Sequence, residues 1–117
     1  MRLNEVTYPN AKPVEGYGPG FFRIGGEVHD GALLVLPERQ MSWQGYADTA
    51  PILEAKDEID VLFVGTGAEI AHIPAPLRQT LEEAGVGVEV MSSPSACRTY
   101  NVLLSEGRRI ALAVLPV

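Results

Sequence analysis

The chain has 117 residues, which suits a single domain, and 46% of them are hydrophobic, enough to bury a core without disulfides or bound metal. Nine basic against fifteen acidic residues give a net charge of −6, which argues against nucleic-acid binding, because phosphate recognition needs a basic surface. No apolar run approaches the roughly 20 residues of a membrane-spanning helix, no signal or transit segment is recognisable, and the single Cys97 cannot form an internal disulfide. We therefore expect one cytoplasmic domain over residues 1–117.

The first thirty residues predict an antiparallel hairpin after an irregular start. Prolines and glycines interrupt residues 1–20, where a short strand around Leu3–Tyr8 is the one regular element expected. The run Phe21–Ile24 has the character of a strand, Gly25-Gly26 is a two-residue turn signal, and Glu27–His29 returns along it. This hairpin is expected either to extend a central sheet or to pack beside it.

Three short elements are expected between residues 32 and 56. Ala32–Leu36 is apolar on both faces, which predicts a buried strand. Met41–Gly45 predicts a short strand or a loop. A short helix is expected over Pro51–Lys56, because proline suits the first turn of a helix, and Asp48 or Thr49 would supply its capping oxygen.

The second half of the chain alternates strands and helices. Apolar runs bounded by turn residues predict the strands, and apolar side chains at helical spacing predict the helices. In chain order these are strand Val61–Val64, helix Pro76–Ala84, strand Val86–Met91, a helix capped by Ser93 that runs from Pro94 to about Ser105, and strand Arg109–Leu115. Two β-α-β crossovers make the three strands parallel. The expected fold class is α/β, a single domain with a mixed central β-sheet, a parallel β-α-β-α-β C-terminal half, helices packed on the sheet and an N-terminal antiparallel hairpin.

Four segments of this half carry a family resemblance. They are DVLFVGTG at residues 60–67, GVGVEVM at 85–91, SACRTYN at 95–101 and EGRR at 106–109. With these motifs the chain resembles, over nearly its whole length, the small α/β domain family that includes the mitochondrial complex I assembly factor 3 and the adipogenesis-associated cytosolic domain protein. The resemblance implies a compact α/β domain with a mixed sheet, no established enzymatic activity, and a role exercised through protein partners. It also suggests a bacterial relative of the mitochondrial factor.

The candidate ligand site lies where two parallel strands end. Ligands of open parallel sheets bind outside the carboxyl ends of the strands, and a helix N-terminus there favours an anion. The residues selected by this rule are Gly65, Thr66, Gly67, Ser92, Ser93, Ser95 and Arg98. They suit a small anion, a carboxylate or a nucleotide, whereas folding alone also uses glycines at a strand exit and serines at a helix cap. The dinucleotide fingerprint is absent, because Ile70 holds its third glycine position.

No catalytic constellation, metal site or cofactor is expected. Cys97 falls in the first turns of a predicted helix, whose dipole can lower a thiol pKa and create a nucleophile. The simpler interpretation is a small buried apolar residue. A catalytic base would have to be His29 or His72, and nothing in the sequence places either beside Cys97. Two histidines and one cysteine without close spacing also argue against a metal site.

Four side chains in loop-like segments suggest a protein interface: Tyr17, Met41, Trp43 and Tyr46. Aromatic residues and methionine outside a clear core pattern are enriched at interfaces, and the alternative is that they fold back over the sheet as a lid. The leading interpretation is a non-enzymatic binding or assembly module with a protein partner, resembling the relatives of the complex I assembly factor. The alternative is a small-molecule or anion-binding domain, or a weak enzyme, that uses the crevice at Gly65–Gly67 and Ser92–Arg98.

Overall fold

The computed structural model of the protein describes residues 12–117, and the strand expected around Leu3–Tyr8 lies outside this range. The described chain forms strands and helices in the order β1 (Val14–Gly18), β2 (Phe21–Ile24), β3 (Glu27–Asp30), β4 (Leu33–Leu36), β5 (Arg39–Ser42), α1 (Ala50–Glu54), β6 (Val61–Gly65), α2 (Ala75–Glu83), β7 (Gly87–Met91), α3 (Ser93–Ser105) and β8 (Ile110–Val114). The strands form two sheets, of three and five strands.

The five-stranded sheet is the centre of the fold, with the strand order β5-β4-β8-β6-β7. β6 lies between β8 and β7 and is parallel to both, as the two crossover helices require. β4 is antiparallel to β8 and to its hairpin partner β5. The predicted mixed sheet with a parallel C-terminal half is therefore confirmed, and β7 and β5 form its two edges.

Alternate side chains of the central strands divide the core into two layers. On one face of β8, Ala111 and Ala113 lie in the layer that includes apolar residues of α1 and α2. On the other face, Ile110, Leu112 and Val114 pack with apolar residues of α3. Full burial of each such leucine or isoleucine contributes about 1.5–3 kcal/mol. Because both faces are covered, the central strands need apolar residues at nearly every position.

β1, β2 and β3 form a separate antiparallel sheet on the α3 side of the central sheet. Phe22 and Ile24 of β2 are buried in the same core layer as α3. The predicted N-terminal hairpin is thus confirmed, and it packs beside the central sheet without extending it.

The expectation of an irregular chain before this hairpin is wrong for Val14–Gly18, which forms β1. The side chain of Asn101 on α3 binds both main-chain groups of Val14, accepting from its N–H at 2.8 Å and donating to its C=O at 2.8 Å. This pair of bonds reproduces what a neighbouring strand would offer. The two residues are 87 positions apart, so the glycines and prolines around Val14 could not indicate this contact.

The segment of the chain between β4 and β6 also differs from the sequence-based expectation. A strand or a loop was expected over Met41–Gly45. The structure has a strand at Arg39–Ser42, two residues before the expected start, and a loop after it. The short helix ends at Glu54, before the expected Lys56. Its N-cap residue is Thr49, which makes no side-chain capping bond, and the carboxylate of Asp48 accepts the N–H of Gln44 at 3.0 Å instead.

Replacing Asn101 by alanine is expected to lower the free energy of unfolding by roughly 1–3 kcal/mol, because the part-buried N–H and C=O of Val14 lose their partners. Urea unfolding followed by circular dichroism measures the change. The matched control is Ser105→Ala at an exposed position of the same helix, expected to stay within about 0.5 kcal/mol of the wild type. Equal effects of the two substitutions would contradict the anchoring role of Asn101.

Candidate functional site

The predicted crevice lies where β6 and β7 end and α3 begins. The structure brings the two predicted segments together, because Gly67 and Ser93 are joined by main-chain and side-chain hydrogen bonds. The helix cap is Ser92, whose hydroxyl accepts from the N–H of Ser95 at 3.4 Å. The expectation that Ser93 caps the helix is therefore wrong. Ser92 has the extended backbone of a residue outside the helix, and Ser93 is already the first helical residue.

Ser93 is the most enclosed polar residue of the crevice, with 0% of its surface exposed. Its hydroxyl accepts from the N–H of Gly67 at 2.9 Å and donates to the carbonyl of Leu115 at 2.6 Å. Its own N–H donates to the carbonyl of Gly67 at 2.7 Å. A buried hydroxyl needs such partners, and here all of them belong to the chain itself. Ser93 therefore links the exits of β6 and β8 to α3.

Gly65 allows α3 to approach the end of β6 at close range. A β-carbon at this position would lie 2.7 Å from both the Cα and the hydroxyl oxygen of Ser93, and 2.7 Å from a methyl group of Val114. Gly67 adopts a φ of 105°, a conformation that side chains disfavour. At Gly65 the space beside the backbone is therefore occupied by α3 and β8, whereas the nearest atom to a β-carbon at Gly67 would be the carbonyl oxygen of Pro116 at 3.5 Å.

The remaining hydroxyl and charged groups of the predicted site are also engaged within the chain. Thr66 Oγ1 donates to the carbonyl of Glu69 at 2.8 Å and accepts from the N–H of Ala71 at 3.0 Å, which holds its loop closed. Arg98 is exposed and donates to the hydroxyl of Ser95 at 3.2 Å. An anion bound by Arg98 and Ser95 would therefore lie at the outer side of the first turns of α3.

Cys97 is 4% exposed and packs in the layer between α3 and the central sheet. Burial raises the pKa of the Cys97 thiol from 9.0 to about 12, and the positive charge of Arg98 opposes this only in part. The thiol is thus protonated at neutral pH, whereas nucleophilic attack needs the thiolate. This placement agrees with the interpretation of Cys97 as a packed apolar residue.

The four candidate interface residues have different surroundings. Trp43 is 4% exposed, belongs to the core and donates from Nε1 to the carbonyl of Asp48 at 3.2 Å. The Tyr46 ring meets it edge-on at 5.7 Å between centroids, and partial burial raises the pKa of Tyr46. Met41 is half-buried against the same core layer. Trp43 is therefore folded back onto the sheet, which was the alternative to an interface role. Tyr17, in contrast, has 44% of its surface exposed.

A cavity that the sequence analysis did not anticipate lies beside the edge strand β7. Its volume is about 300 Å³, and it is lined by Ile70, Ala71, His72, Arg78 and Val90. Ile70 is 66% exposed, which is unusual for a large aliphatic side chain. The local signal for this site was Ile70, a large apolar residue in the loop between β6 and α2. That β7 is an edge strand follows from the strand order, which the sequence does not show.

A second cavity, of about 260 Å³, lies beside the β4–β5 turn and α1 and is lined by Leu36, Glu38, Arg39, Glu54, Ala55 and Glu58. Arg39 pairs with Glu54 at 3.3 Å, with both side chains exposed, so the pair contributes little to stability. Within residues 12–117, no three histidine, cysteine or carboxylate side chains are grouped so that they could hold a metal ion. None of the helices in this range is long and apolar enough to cross a membrane.

The family of proteins of unknown function DUF498/DUF598 matches residues 14–115 of the chain. The chain belongs to this family. An uncharacterized protein of Rhodobacter capsulatus is 50% identical over 117 residues, which cover all of this chain and 94% of that protein. The crystal structure of an outer membrane protein from Bartonella henselae has a TM-score of 0.85 at 34% identity, and the match covers 95% of this chain and 99% of that one.

A Danio rerio protein named NADH dehydrogenase (ubiquinone) 1 alpha subcomplex assembly factor 3 is 33% identical over 110 residues. The match covers 88% of this chain, and the chain spans 63% of the length of that relative. The resemblance to the family of the complex I assembly factor, drawn above from four motifs, is therefore confirmed.

Gly65→Ala is expected to lower the free energy of unfolding by roughly 1–3 kcal/mol, because the added methyl group meets the backbone of Ser93, which cannot move aside alone. Gly16→Ala is the matched control: a β-carbon there has no neighbour within 4 Å, and its expected change is within about 0.5 kcal/mol. Thermal and urea unfolding of both variants measure the difference. An unchanged free energy of unfolding in Gly65→Ala would show that α3 does not pack on β6 as described.

Cys97 is expected to react with iodoacetamide at least about tenfold more slowly than free cysteine at mildly alkaline pH, because it is buried and its pKa is raised to about 12. Mass spectrometry of timed samples gives the rate. Full reactivity should return in denaturing urea, which serves as the control for labelling itself. Rapid modification of the folded protein at neutral pH would restore the hypothesis of a reactive thiol.

Proposed function

We propose that this protein is a non-enzymatic binding module that assists the assembly of a respiratory NADH dehydrogenase. The proposal rests on the relative named as an assembly factor of that enzyme, which is 33% identical over 88% of this chain. The match covers 88% of this chain, so most of the folded domain has an aligned counterpart in that relative.

The geometry of the crevice also favours recognition at the outer surface. Ser93, Thr66 and Gly67 use their hydrogen-bonding groups to join parts of the chain to one another. Leaving the buried hydroxyl of Ser93 or the buried N–H of Gly67 unpaired to admit a ligand would cost about 1–3 kcal/mol for each group. Exposed apolar groups carry no such cost when a partner covers them. Among the interface residues expected from the sequence, Tyr17 is the most exposed and is the one that we assign to the partner contact.

The proposal places the module in the cytoplasm, where a reducing medium keeps Cys97 as a thiol. The alternative function, binding of a small anion, would act through the exposed Arg98 and its neighbour Ser95. The two functions differ in which surface substitution removes the bound molecule, so they can be separated in one experiment.

The test is affinity purification of the tagged full-length protein from its native cells under gentle conditions, with bound proteins quantified by mass spectrometry. NADH dehydrogenase subunits are expected with the wild type and with Arg98→Ala. Tyr17→Ala is expected to reduce their recovery about tenfold, in line with the loss of one aromatic contact at an interface. Both positions are exposed, so both variants should fold, and circular dichroism serves as the control.

Two results would overturn the assignment. If no NADH dehydrogenase subunit is enriched over a tag-only control, the assembly function is wrong. If Arg98→Ala releases the subunits and Tyr17→Ala does not, the contact lies on the surface of α3, and the assignment of Tyr17 is wrong.

A further inference from the structure

The edge strand β7 carries main-chain groups that pair with no other strand among residues 12–117. Among the described elements β7 pairs with β6 alone. The N–H of Gly87 donates to Asp60 at 2.8 Å, and the carbonyl of Met91 accepts from Thr66 at 3.0 Å, so the odd-numbered residues of β7 face β6. Main-chain groups alternate in direction along a strand, and the even-numbered residues therefore direct theirs to the free edge. Such an edge is a template for pairing with another strand.

Arg78 covers one of these outward groups. Its guanidinium donates to the carbonyl of Val88 at 3.2 Å and also pairs with Glu82 at 3.2 Å. The N–H of Val88 and both main-chain groups of Val90 have no hydrogen-bond partner within residues 12–117. An incoming N–H can replace Arg78 at the Val88 carbonyl, because the guanidinium keeps its pair with Glu82.

The two faces of β7 would present different surroundings to an added strand. Glu89 lies opposite Phe63 in the register with β6, on the face of the sheet that α3 covers, and it is exposed. Val90 lies on the other face and lines the cavity that also contains Ile70. In an antiparallel added strand, one side chain stands opposite Glu89, and its two neighbours point towards the cavity face.

Charge decides against a second copy of this chain as the occupant. The antiparallel pairing of two β7 edges in which Val88 of each copy lies opposite Val90 of the other places Glu89 directly opposite Glu89 of the other copy. Like charges in directly opposed positions destabilise a strand pair, and opposite charges stabilise it. The favoured occupant therefore carries a basic residue opposite Glu89.

We propose that the free edge of β7 binds an extended segment of a partner protein with the side-chain pattern apolar-basic-apolar. The segment adds an antiparallel sixth strand to the central sheet. Its basic side chain pairs with Glu89, and an apolar neighbour enters the cavity beside Val90 and Ile70. The inference rests on the proposed function only in that the segment belongs to a protein partner. The edge of β7 is a different surface from the one assigned to Tyr17 on β1.

The probes are two short fluorescent peptides with the same threonine- and serine-rich ends, one with a central Ile-Lys-Ile and the other with Ile-Glu-Ile. Fluorescence anisotropy with the full-length protein is expected to show about tenfold tighter binding of the lysine peptide. Binding should also slow amide hydrogen exchange at Val88 and Val90. Glu89→Lys is expected to reverse the preference, whereas Glu27→Lys on β3 makes the same change of charge elsewhere and should leave it unchanged.

Equal affinities for the two peptides, an unchanged preference in Glu89→Lys, or unaltered exchange at both valines would overturn the proposal. A wild-type dimer in sedimentation, with these two amides protected without peptide, would assign the edge to a second copy and overturn it as well. If the peptides fail to bind while NADH dehydrogenase subunits still co-purify, the edge proposal falls and the assembly function stands. If the lysine peptide binds as expected and no subunit co-purifies, the assembly function falls alone.

Discussion

The hydroxyl of Ser93 is the contact on which the arrangement of this domain depends. It lies fully buried at the point where the exits of β6 and β8 meet the start of α3, and it joins the chain at Gly67 to the chain at Leu115. The helix reaches this point because Gly65 has no side chain. The central sheet, α3 and the C-terminal end of β8 are therefore held together at one polar contact inside an apolar core.

This contact lies at the place where ligands of many α/β proteins bind. In many open α/β sheets the carboxyl ends of the strands leave a crevice for a ligand. Here α3 packs closely on the end of β6 at Gly65, and the hydroxyls of Ser93 and Thr66 bind to the chain itself. The outward features of the described residues include the exposed Tyr17, the cavity beside Ile70 and the edge of β7. These are features suited to contact with another protein, in agreement with the function proposed from the named relative.

The parallel half of the fold was predictable because its signals are local. Apolar runs and helical spacing marked β6, α2, β7, α3 and β8 to within a few residues. β1 was harder to predict, because it is held by Asn101, which is far away in the sequence. Trp43 was equally ambiguous, since a tryptophan in a glycine-punctuated loop can cover an interface or a core. It lies in the core because the loop folds back over the face that α1 and α2 also cover.

The sequence by itself determined the fold class, the order of the elements from β6 to β8 and the family, since periodicity and short motifs depend on neighbouring residues. It also selected Gly65, Ser93 and Cys97 as residues worth attention. Only the tertiary structure decided what they do. Whether a hydroxyl faces a ligand or a carbonyl depends on groups 22 to 26 positions away, and whether a thiol ionises depends on how deeply it is buried. The free edge of β7 is likewise a property of the strand order, which no local pattern encodes.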